Sequence, residues 1–417
     1  MTVTPARICI LGGGFAGIYT ALHLEKLSWK RSPKPQITLV DQNDRFLFTP
    51  FLYELLTQEL QLWEIAPPYL KLLLGTNIQF CRGVVEQIDL NNCQVQLQDG
   101  QVLTYDRLVL AIGREASLEM VPGAATHAFS FRTLADAERL DEQLRSLEAS
   151  DQPIIRIAIA GGGPSGVELA GKLADRLQDR GHIHLIERGE QLLKSFTTFS
   201  QRTAHRALAE RQVKIDLKTN IQSIGSDFII LEHQGNIKTL PIDLVLWTAG
   251  TCVSRSLQDL NYQQNSQGQL LTRPTLQLVD HPEVFALGDL ADIRERRGKQ
   301  IPTTAQAAYQ QASCAAYNLR ASLTKRSLRY FHYLHLGEML TLGTNTAIVS
   351  SLGFINLKGR LAHITRRLVY LLLRMPTLKH RFQVGKYWLV RLFHGITNQD
   401  LHNNYSKLNK SKVKQHK

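Results

Sequence analysis

The chain has 417 residues, of which 43% are hydrophobic, and this is enough for two or three domains with well-buried cores. Its formal net charge is +13 at pH 7, and residues 360–417 carry +12 of that, with thirteen Lys or Arg against the single acid Asp400. Such a basic block favours an anionic partner, either membrane headgroups or nucleic acid, although residues 406–417 alone are typical of a solvated tail. The five cysteines form no C-x-x-C pair, which argues against a metal ribbon or a local redox disulfide.

A strand, a glycine-rich turn and a helix open the chain. The run Arg7–Leu11 is of strand type, and the helix is expected from about 18 to 27. Between them lie three glycines in the spacing G-x-G-x-x-G, and the next predicted strand ends in an acid: Gly12, Gly14, Gly17 and Asp41. Such a turn lets a pyrophosphate approach the backbone at a helix N-terminus, while the acid binds a ribose hydroxyl. The stretch therefore predicts a dinucleotide site, and the six residues ahead of it leave no room for a signal peptide, which predicts a cytosolic-side location.

The same arrangement occurs a second time. A strand at 156–160 leads into glycines of the same spacing and a helix, and another strand ends in an acid: Gly161, Gly163, Gly166 and Glu187. Each repeat continues with an alternating stretch, 77–105 or 213–240, that predicts a β-meander, and then with a buried strand that ends at Gly113 or Gly250. The chain is therefore predicted to contain an internal duplication, with two domains that each bind one dinucleotide.

Further motifs come after the second repeat. The turn glycine Gly288 is followed by the carboxylate of Asp289, and a helix is expected to open at about Pro302. Gln306 and Gln310 are four residues apart on that helix, so they share one of its faces. Taken alone, these glutamines are polar helix residues.

The C-terminal part mixes leucine and aromatic residues with cations. The uncharged stretch 339–357 is expected to form two strands and a turn, because nine of its nineteen residues are Gly, Ser, Thr or Asn and a membrane span is therefore disfavoured. Two short helices are predicted next, at 361–374 with Arg366 and Arg367, and at 382–393 with Trp388. This composition is typical of helices that lie in a membrane interface, and a dimer contact or a core-packing helix is the alternative.

These motifs resemble the two-dinucleotide flavoproteins, and within them the type II NAD(P)H:quinone oxidoreductases, from residue 7 to about 393. The chain is most similar to the cyanobacterial and plastid branch of demethylphylloquinone reductases. The stretches that carry the resemblance are 48–54, 161–168, 246–250, 285–289 and 304–310. The resemblance implies an α/β fold with two Rossmann-like domains of glutathione-reductase-like topology, and a C-terminal β/α segment that associates with a membrane.

The resemblance also implies non-covalent FAD in the first domain and NAD(P)H, the electron donor, in the second. For FAD it implies Gly12, Gly14, Phe15, Ala16, Gly17, Asp41, Val85, Gly113, Gly288, Asp289, Ala305 and Gln306. For NAD(P)H it implies Gly161, Gly163, Pro164, Ser165, Gly166, Glu187, Arg188 and Gly250. Glu187 favours an unphosphorylated ribose whereas Arg188 suits a 2′-phosphate, so NADH and NADPH both stay open.

The implied domain bounds are 1–150 with 266–330 for FAD, 151–265 for NAD(P)H, 331–405 for quinone access at the membrane surface, and a basic tail at 406–417. An amphipathic helix is predicted from 133 to 147, ahead of a linker at 148–153. The expected location is peripheral, on the cytoplasmic side of the cytoplasmic or thylakoid membrane, against an anionic surface. Oligomeric state stays open, with a homodimer among the alternatives.

Three residues are candidates for catalysis. The resemblance implies that Glu168 lies near the contact of flavin and nicotinamide, and that Gln306 and Gln310 contact the quinone. Hydride transfer needs no side-chain base, because the cofactors carry the chemistry. Glu168 is therefore expected either to position the nicotinamide or to relay a proton. A demethylated naphthoquinone on the way to phylloquinone and a respiratory plastoquinone are both compatible with the motifs.

Two other functions are alternatives for this chain. A thiol- or sulfide-linked reductase of the same fold needs a cysteine pair beside the flavin, and Cys252 and Cys314 are the candidates, although they lack the usual spacing. A flavin-containing regulatory protein would use the basic tail on nucleic acid, but no nucleic-acid motif is present, so no nucleic-acid partner is expected. No metal site is expected, and the sequence lacks the calcium-binding loop that some relatives insert.

Overall fold

The structure is a computed structural model that describes residues 4–29, 33–253 and 262–394. These residues fall into two compact units. Unit 1 takes the described residues of 1–48, 66–117 and 249–336, and unit 2 takes those of 49–65, 118–248 and 337–417. Each unit contains a parallel β-sheet and helices, so the predicted α/β class is confirmed.

Regular elements cover most of both units. The strands of the described residues, in chain order, are β1 Arg7–Leu11, β2 Gln36–Asp41, β3 Ile78–Arg82, β4 Val85–Asp89, β5 Gln94–Leu97, β6 Val102–Thr104, β7 Arg107–Leu110, β8 Glu115–Ala116, β9 Ala128–Ser130, β10 Ile155–Ala160, β11 Gly181–Ile186, β12 Lys214–Asp216, β13 Thr219–Ile224, β14 Phe228–His233, β15 Asn236–Pro241, β16 Leu244–Trp247, β17 Thr251–Cys252, β18 Leu270–Leu271, β19 Val284–Ala286, β20 Ala291–Asp292, β21 Glu338–Thr341, β22 Ala347–Ser351 and β23 Ile355–Lys358. The helices are α1 Phe15–Lys26, α2 Tyr53–Leu56, α3 Leu62–Ile65, α4 Tyr69–Leu72, α5 Ala124–His127, α6 Leu134–Ala149, α7 Pro164–Leu177, α8 Thr198–Ala209, α9 Ala305–Leu323, α10 Gly359–Val369 and α11 Leu378–His394.

In unit 1, five parallel strands form one sheet in the order β19-β7-β1-β2-β3. The residues of β1 from Ile8 to Leu11 are buried, because a parallel sheet that is covered on both faces holds apolar side chains on both sides. Helix α1 leaves the end of β1 and packs against α9. The carboxyl ends of β1, β7 and β19 are neighbours at one edge of the sheet, which is where ligands bind in open α/β folds.

In unit 2, the corresponding sheet has the order β9-β16-β10-β11-β12 and is again parallel throughout. Helix α7 follows β10 as α1 follows β1, and a three-stranded meander precedes the next sheet strand in both units, β4–β6 before β7 and β13–β15 before β16. The predicted duplication is therefore present in the topology. The fifth strands differ in origin, because β19 comes from the late part of the chain and β9 precedes the second glycine turn.

Three predicted details differ from the structure. β3 pairs with β2 and β12 pairs with β11, so the stretches predicted as whole meanders each begin with an edge strand of the parallel sheet. An edge strand is half exposed, and its alternation is the same as that of a meander strand. Helix α1 begins at Phe15 rather than 18, because Gly14 is already its N-cap.

The helix predicted from 133 is confirmed as α6, where Thr133 and Asp136 form a capping box.

The C-terminal part of unit 2 is a small sheet followed by helices. It has three antiparallel strands, β21-β22-β23, where two strands and a turn were predicted. Ala347 and Val349 of β22 pack against Ala362 of α10. A π-helical turn, Tyr370–Arg374, leads from α10 towards α11. Within the described parts of the chain, no helix is both long and apolar enough to cross a membrane.

The division into units does not follow the predicted domain bounds. Residues 118–150 belong to unit 2, because β9 pairs with β16 of its sheet. Unit 2 also takes the described residues after 337. Which nucleotide each part binds stays a prediction, and the end of the predicted membrane-surface domain and the tail at 406–417 lie outside the described residues.

Candidate active site

The first glycine turn leaves room for a ligand. Gly12 has φ +94°, a conformation that a side chain would strain, and a Cβ at Gly17 would overlap the carbonyl oxygen of Gly12. By contrast, the space is open where a Cβ at Gly14 would point. Gly14 caps α1 without a side-chain bond, so the backbone N–H groups at Phe15 and the residues after it face that space. The turn thus fits the pyrophosphate of a dinucleotide.

Asp41 ends β2 beside this turn. Its carboxylate accepts hydrogen bonds from the backbone N–H groups of Gly13 (2.6 Å) and Asn43 (2.8 Å), and from the side chain of Tyr69. Burial raises the pKa of Asp41, and these hydrogen bonds oppose the rise. The acid is held at the turn, where the motif binds a ribose hydroxyl.

Two more loops meet the first turn at the same edge of the unit 1 sheet. A Cβ at Gly12 would overlap the carbonyl oxygen of Ala111, in the loop that follows β7 and reaches Gly113 at φ +73°. After β19, Gly288 lies so close to α1 that its Cβ would be 3.7 Å from the Cβ of Ala16. A ligand longer than a pyrophosphate can therefore contact three loops of unit 1.

The loop after β19 leads towards α9. The N–H of Gly288 donates to Oε1 of Gln311 on α9 (2.8 Å), which fixes the loop against that helix. Asp289 follows within a short 3₁₀ turn, and Ala305 is the first residue of α9. Val85, the first residue of β4, is half-buried. Unit 1 therefore contains every residue for which FAD was predicted.

The second glycine turn repeats the first in unit 2. Gly161 has φ +108°, and a Cβ at Gly166 would overlap its carbonyl oxygen. Space is open where a Cβ at Gly163 would point, and Gly163 caps α7 without a side-chain bond. Pro164 is the first residue of α7, where its lack of an N–H costs nothing. This turn, too, fits a pyrophosphate.

Glu187 ends β11 beside the second turn, as Asp41 ends β2 beside the first. Its carboxylate accepts hydrogen bonds from the backbone N–H groups of Gly162 (2.6 Å) and Gly189 (2.5 Å). Arg188 is exposed next to it. Gly250, which was predicted for NAD(P)H, belongs to unit 1, with φ +71°.

Gln306 and Gln310 hold the segment that follows α9. Oε1 of Gln306 accepts hydrogen bonds from the Tyr333 hydroxyl and from the N–H of Leu336, both at 2.9 Å. Gln310 exchanges two hydrogen bonds with the backbone of Leu334, at 2.8 and 3.0 Å. The two glutamines share one helix face, as predicted. These bonds involve both the NH2 group and the oxygen of the Gln310 amide. Contact with a quinone stays a prediction.

Glu168 belongs to a group of buried and half-buried ionisable side chains in unit 2. The Glu168 cluster, as we call it, consists of Glu54, Glu59, Glu168, Lys172, His363, Arg366 and Arg367. Glu168 is 6% exposed, and its Oε1 accepts a hydrogen bond from the N–H of Thr341 (2.9 Å). Burial raises the pKa of Glu168 to about 7, although Arg366 and Thr341 act against the rise. Glu168 is therefore able to take up and release a proton near neutral pH.

Arg366 ties α10 to α2 within this cluster. It is fully buried, its Nη1 donates to Oε1 of Glu54 at 2.5 Å, and its Nη2 donates to the carbonyl oxygen of Pro50. Nη2 also lies 3.7 Å from Oε1 of Glu168. Burial alone would raise the pKa of Glu54, but Arg366 and the other cations outweigh it and lower that pKa, so Glu54 stays ionised.

Glu59 is the second carboxylate centre of the cluster. Its Oε2 accepts hydrogen bonds from the Thr57 hydroxyl at 2.6 Å and from the ammonium group of Lys172. Its Oε1 lies 3.5 Å from Arg367 and 3.9 Å from Nε2 of His363. Burial lowers the pKa of His363 to about 4, so its ring is neutral at pH 7.

The sequence interpretation was wrong about Arg366. It was placed among the cations of a membrane interface, but it is buried against Glu54. Trp388 is half-buried and donates its indole N–H to Glu64 at 2.5 Å, and its predicted place at a membrane interface stays a prediction. The sequence did carry a signal for the burial of Arg366, in the apolar stretch after residue 46. Acids that lie among aromatic side chains there require buried cations from elsewhere in the chain.

The cysteines do not support a thiol reaction. All five are free thiols. Burial raises the pKa of Cys314 to about 11, which keeps it protonated, and its Sγ contacts the carbonyl oxygen of Arg329. Cys252 contacts the backbone of β8. Neither cysteine is therefore arranged as a redox pair.

The chain was compared with known proteins. The family model described as pyridine nucleotide-disulphide oxidoreductase matches residues 6–312. The chain is 47% identical to "Demethylphylloquinone reductase NdbB" of Synechocystis sp., over 94% of this chain and 97% of that protein. It is 40% identical to "Alternative NAD(P)H-ubiquinone oxidoreductase C1, chloroplastic/mitochondrial" of Arabidopsis thaliana, over 92% of this chain and 80% of that protein. Its fold matches NDH2 from Plasmodium falciparum in complex with NADH, with a TM-score of 0.82 at 17% identity, over 95% of this chain and all of the other.

Proposed function

This chain belongs to the pyridine nucleotide-disulphide oxidoreductase family, and on that premise we propose a demethylphylloquinone reductase in which unit 1 holds FAD and unit 2 holds NAD(P)H. It is an NAD(P)H:quinone oxidoreductase, in which two electrons pass from NAD(P)H through FAD to a quinone. The predicted family and reaction are thereby confirmed. The choice of quinone and the assignment of the two nucleotides are the proposal.

The observation that carries the nucleotide assignment is the meeting of three loops in unit 1. FAD extends beyond its pyrophosphate through a ribityl chain and a flavin ring, so it needs more protein surface than one glycine turn. The backbone at Gly288 approaches Ala16 of α1, and we assign the residue that follows it, Asp289, to the ribityl hydroxyls of FAD. In unit 2 we assign the second turn to NAD(P)H, with Glu187 at the ribose of its adenosine half.

Bound FAD would supply the hydride acceptor and the two-electron link to the quinone. The protein groups orient, exclude water and move protons. Gly14 and Gly163 admit a pyrophosphate to the backbone, and the acids Asp41 and Glu187 bind the riboses. We assign proton transfer to the carboxyl group of Glu168, because burial brings its pKa to the pH at which it exchanges protons. Gln306 and Gln310 would shape the quinone pocket by holding residues 333–336 in place.

The 47% identity to the Synechocystis enzyme supports demethylphylloquinone as the quinone. A plastoquinone-type respiratory substrate is the second candidate, and the Arabidopsis relative, whose name gives ubiquinone, supports a benzoquinone of that kind. Reoxidation of the reduced enzyme by a demethylated naphthoquinone at least tenfold faster than by a plastoquinone analogue would support the first. The reverse order would support the second.

The exposed faces of the C-terminal helices support membrane binding. On α10 the side chains at spacings of three and four are exposed, namely Leu361, Ile364, Leu368 and, after the helix, Leu372. The opposite face carries buried Ala362, His363 and Arg366. A helix that buries a charged face and exposes leucines is suited to the apolar interior of a membrane surface. Exposed cations such as Arg360 and Lys386 are suited to anionic headgroups. The protein is proposed to lie on the cytoplasmic side of a membrane, and no dimer contact is assigned.

A matched pair of glycine substitutions tests the nucleotide assignment. Gly14→Ala and Gly163→Ala each put a methyl group into open space, so both variants, stripped of FAD, are expected to unfold at the temperature of the wild-type protein stripped of FAD. Gly14→Ala is expected to lose most of its FAD on gel filtration. Gly163→Ala is expected to keep its FAD and to raise KM for NAD(P)H about tenfold, because the methyl group blocks a pyrophosphate. Loss of FAD from Gly163→Ala, with FAD retained by Gly14→Ala, would reverse the assignment.

A further inference from the structure

The Glu168 cluster contains buried polar atoms for which the described residues offer no hydrogen-bond partner. They are Oε2 of Glu54, both ring nitrogens of His363, and the Nε atoms of Arg366 and Arg367. Native proteins satisfy nearly all such atoms, and ordered water does so where protein groups do not. Five atoms of this kind belong to one cluster, and internal water is the partner that such atoms take in other proteins.

A polar recess approaches the cluster from the surface of unit 2. Its cavity has a volume of about 320 Å³, and the exposed residues Gln58 and Arg145 line it together with Thr57 and Asp175. Thr57 connects this recess with the cluster, because its hydroxyl donates to Oε2 of Glu59 at 2.6 Å. Solvent protons in the recess are thus one hydroxyl away from a buried carboxylate.

From Glu59 the next group inwards is His363. Its Nε2 lies 3.9 Å from Oε1 of Glu59, and its ring is 4% exposed. A neutral imidazole can accept a proton on one nitrogen and release one from the other, and neither nitrogen has a partner among the described residues. Glu54 is close enough to His363 to act on its pKa, and it also accepts a hydrogen bond from Arg366. Nη2 of Arg366 lies 3.7 Å from Oε1 of Glu168.

We propose that the recess, Thr57, Glu59 and His363 form a water-bearing proton path that supplies Glu168. The proposal rests on the proposed function, in which Glu168 transfers a proton. The overall reaction, NAD(P)H + H⁺ + quinone → NAD(P)⁺ + quinol, moves two electrons and one proton with the hydride. One further proton has to come from solution for each quinol formed, and the path carries that proton.

Cations and carboxylates are balanced around both ends of the path. Glu59 faces Lys172 of α7, Arg367 and His363 of α10, and the N–H of Asn345. Glu168 faces the carboxylate of Glu54, the cations Arg366 and Lys172, the phenols Tyr53 and Tyr370, and the N–H of Thr341. With three cations against three carboxylates, one added proton changes the net charge of the cluster only between 0 and +1.

Glu59→Gln tests the path by separating the two half-reactions in stopped flow. The bleaching of the flavin by NAD(P)H is expected to stay within about twofold of wild type. Reoxidation by a water-soluble quinone is expected to slow at least tenfold at pH 8 and less at pH 6, where protons are more abundant. Azide or formate, whose conjugate acids are small enough to carry protons inwards, should restore at least half of the lost rate.

Two further variants keep this test decisive. Asp136→Asn removes a carboxylate of similar burial (7% against 8% exposed) from the α6 capping box, so it is expected to lower the unfolding temperature while reoxidation keeps the wild-type pH profile. Thr57→Val removes one hydroxyl and no charge, and it should slow reoxidation about threefold at pH 8. If Glu59→Gln does not fold, Thr57→Val decides alone.

Reoxidation within twofold of wild type at every pH, in each variant that folds, would overturn the path. A loss of rate that weak acids do not restore would overturn it as well, because it would indicate a structural role. A wild-type protein whose reduced flavin no quinone reoxidises would instead refute the proposed function. The two failures are therefore distinguishable.

Discussion

At the scale of single residues, the buried ionic groups of unit 2 have the largest consequences for stability. Arg366 compensates Glu54 where neither side chain has any exposure. Removing one partner of a buried pair leaves the other charge uncompensated, which is far more costly than losing an ion pair at the surface. Arg366 is thus a structural residue of the Glu168 cluster as well as an electrostatic neighbour of Glu168.

Replacing Arg366 by methionine should destabilise the protein by about 3–5 kcal/mol, because Glu54 is left buried without its cation. Urea unfolding followed by circular dichroism measures this. The control is Arg206→Gln, which breaks an exposed i,i+4 pair with Glu210 and should cost less than about 1 kcal/mol. Equal losses in the two variants would contradict the buried pair.

We propose that Glu187 sets the preference between NADH and NADPH by its charge. Its carboxylate is fixed by Gly162 and Gly189, so it stays where a 2′-phosphate would have to bind. Glu187→Gln should raise the ratio of kcat/KM for NADPH to that for NADH about tenfold, because an amide no longer repels a phosphate. Arg188→Gln should shift the ratio the other way. Steady-state kinetics with both nucleotides measure the ratio, and an unchanged ratio in Glu187→Gln would be evidence against this role.

The protonation of Glu168 predicts a pH dependence. Burial raises its pKa to about 7, so the carboxyl group is protonated below that pH and loses its proton above it. If the protonated form delivers the proton, the rate of flavin reoxidation falls as pH rises through about 7. Glu168→Gln should be slower and lack this step, whereas a step that persists in the variant would assign the titration to another group.

The positions of the glycines, Asp41 and Glu187 could be predicted from the sequence, because one short motif fixes where each lies, and the structure places each acid beside its glycine turn. Their roles in nucleotide binding stay predictions. Glu54, Glu59 and His363 were not foreseen, because their partners are more than a hundred residues away in the chain. An acid next to an aromatic run shows that a compensating cation is required, but not which one.

At the scale of elements, α10 is amphipathic in the opposite sense to a helix of a soluble core. Its buried face carries Arg366 and His363, and its exposed face carries Leu368, which is 46% exposed. Leu372, just after the helix, is 60% exposed. Such a face is expected to bind an apolar medium.

The double substitution Leu368→Ser and Leu372→Ser should weaken binding to vesicles with anionic lipids at least tenfold, because each leucine contributes about 1.5–3 kcal/mol when it leaves water. Reduction of a water-soluble quinone should be unchanged. Ile237→Ser on β15, which replaces a side chain that is 72% exposed, is the matched control. Vesicle sedimentation measures binding, and equal binding of the double variant and the control would contradict a membrane role for this face.

Element types were predictable where periodicity and length agree. The parallel strands and α6 follow from buried runs and a capping box. The pairing of β3 and β12 could not be predicted, because alternation does not distinguish an edge strand of a parallel sheet from a meander strand. The third strand of the small sheet, β23, has exposed residues on both sides and gives little hydrophobic signal.

At the scale of the whole molecule, one topology is used twice. The sheets β19-β7-β1-β2-β3 and β9-β16-β10-β11-β12 place the same glycine turn, helix and acid in the same order. The sequence predicts this duplication from the repeated motif alone. It does not predict that the fifth strand of the second sheet comes from ahead of the motif, since a strand of three residues has no distinctive pattern.

The central claim is that electrons pass from NAD(P)H through FAD to a quinone. Stopped-flow absorbance of the flavin-loaded protein tests it most directly, with NADH or NADPH mixed in first and demethylated naphthoquinone or plastoquinone analogues second. The account predicts rapid bleaching of the flavin by at least one nucleotide, followed by reoxidation that is fastest with the naphthoquinone. Bleaching that no quinone reverses would contradict it.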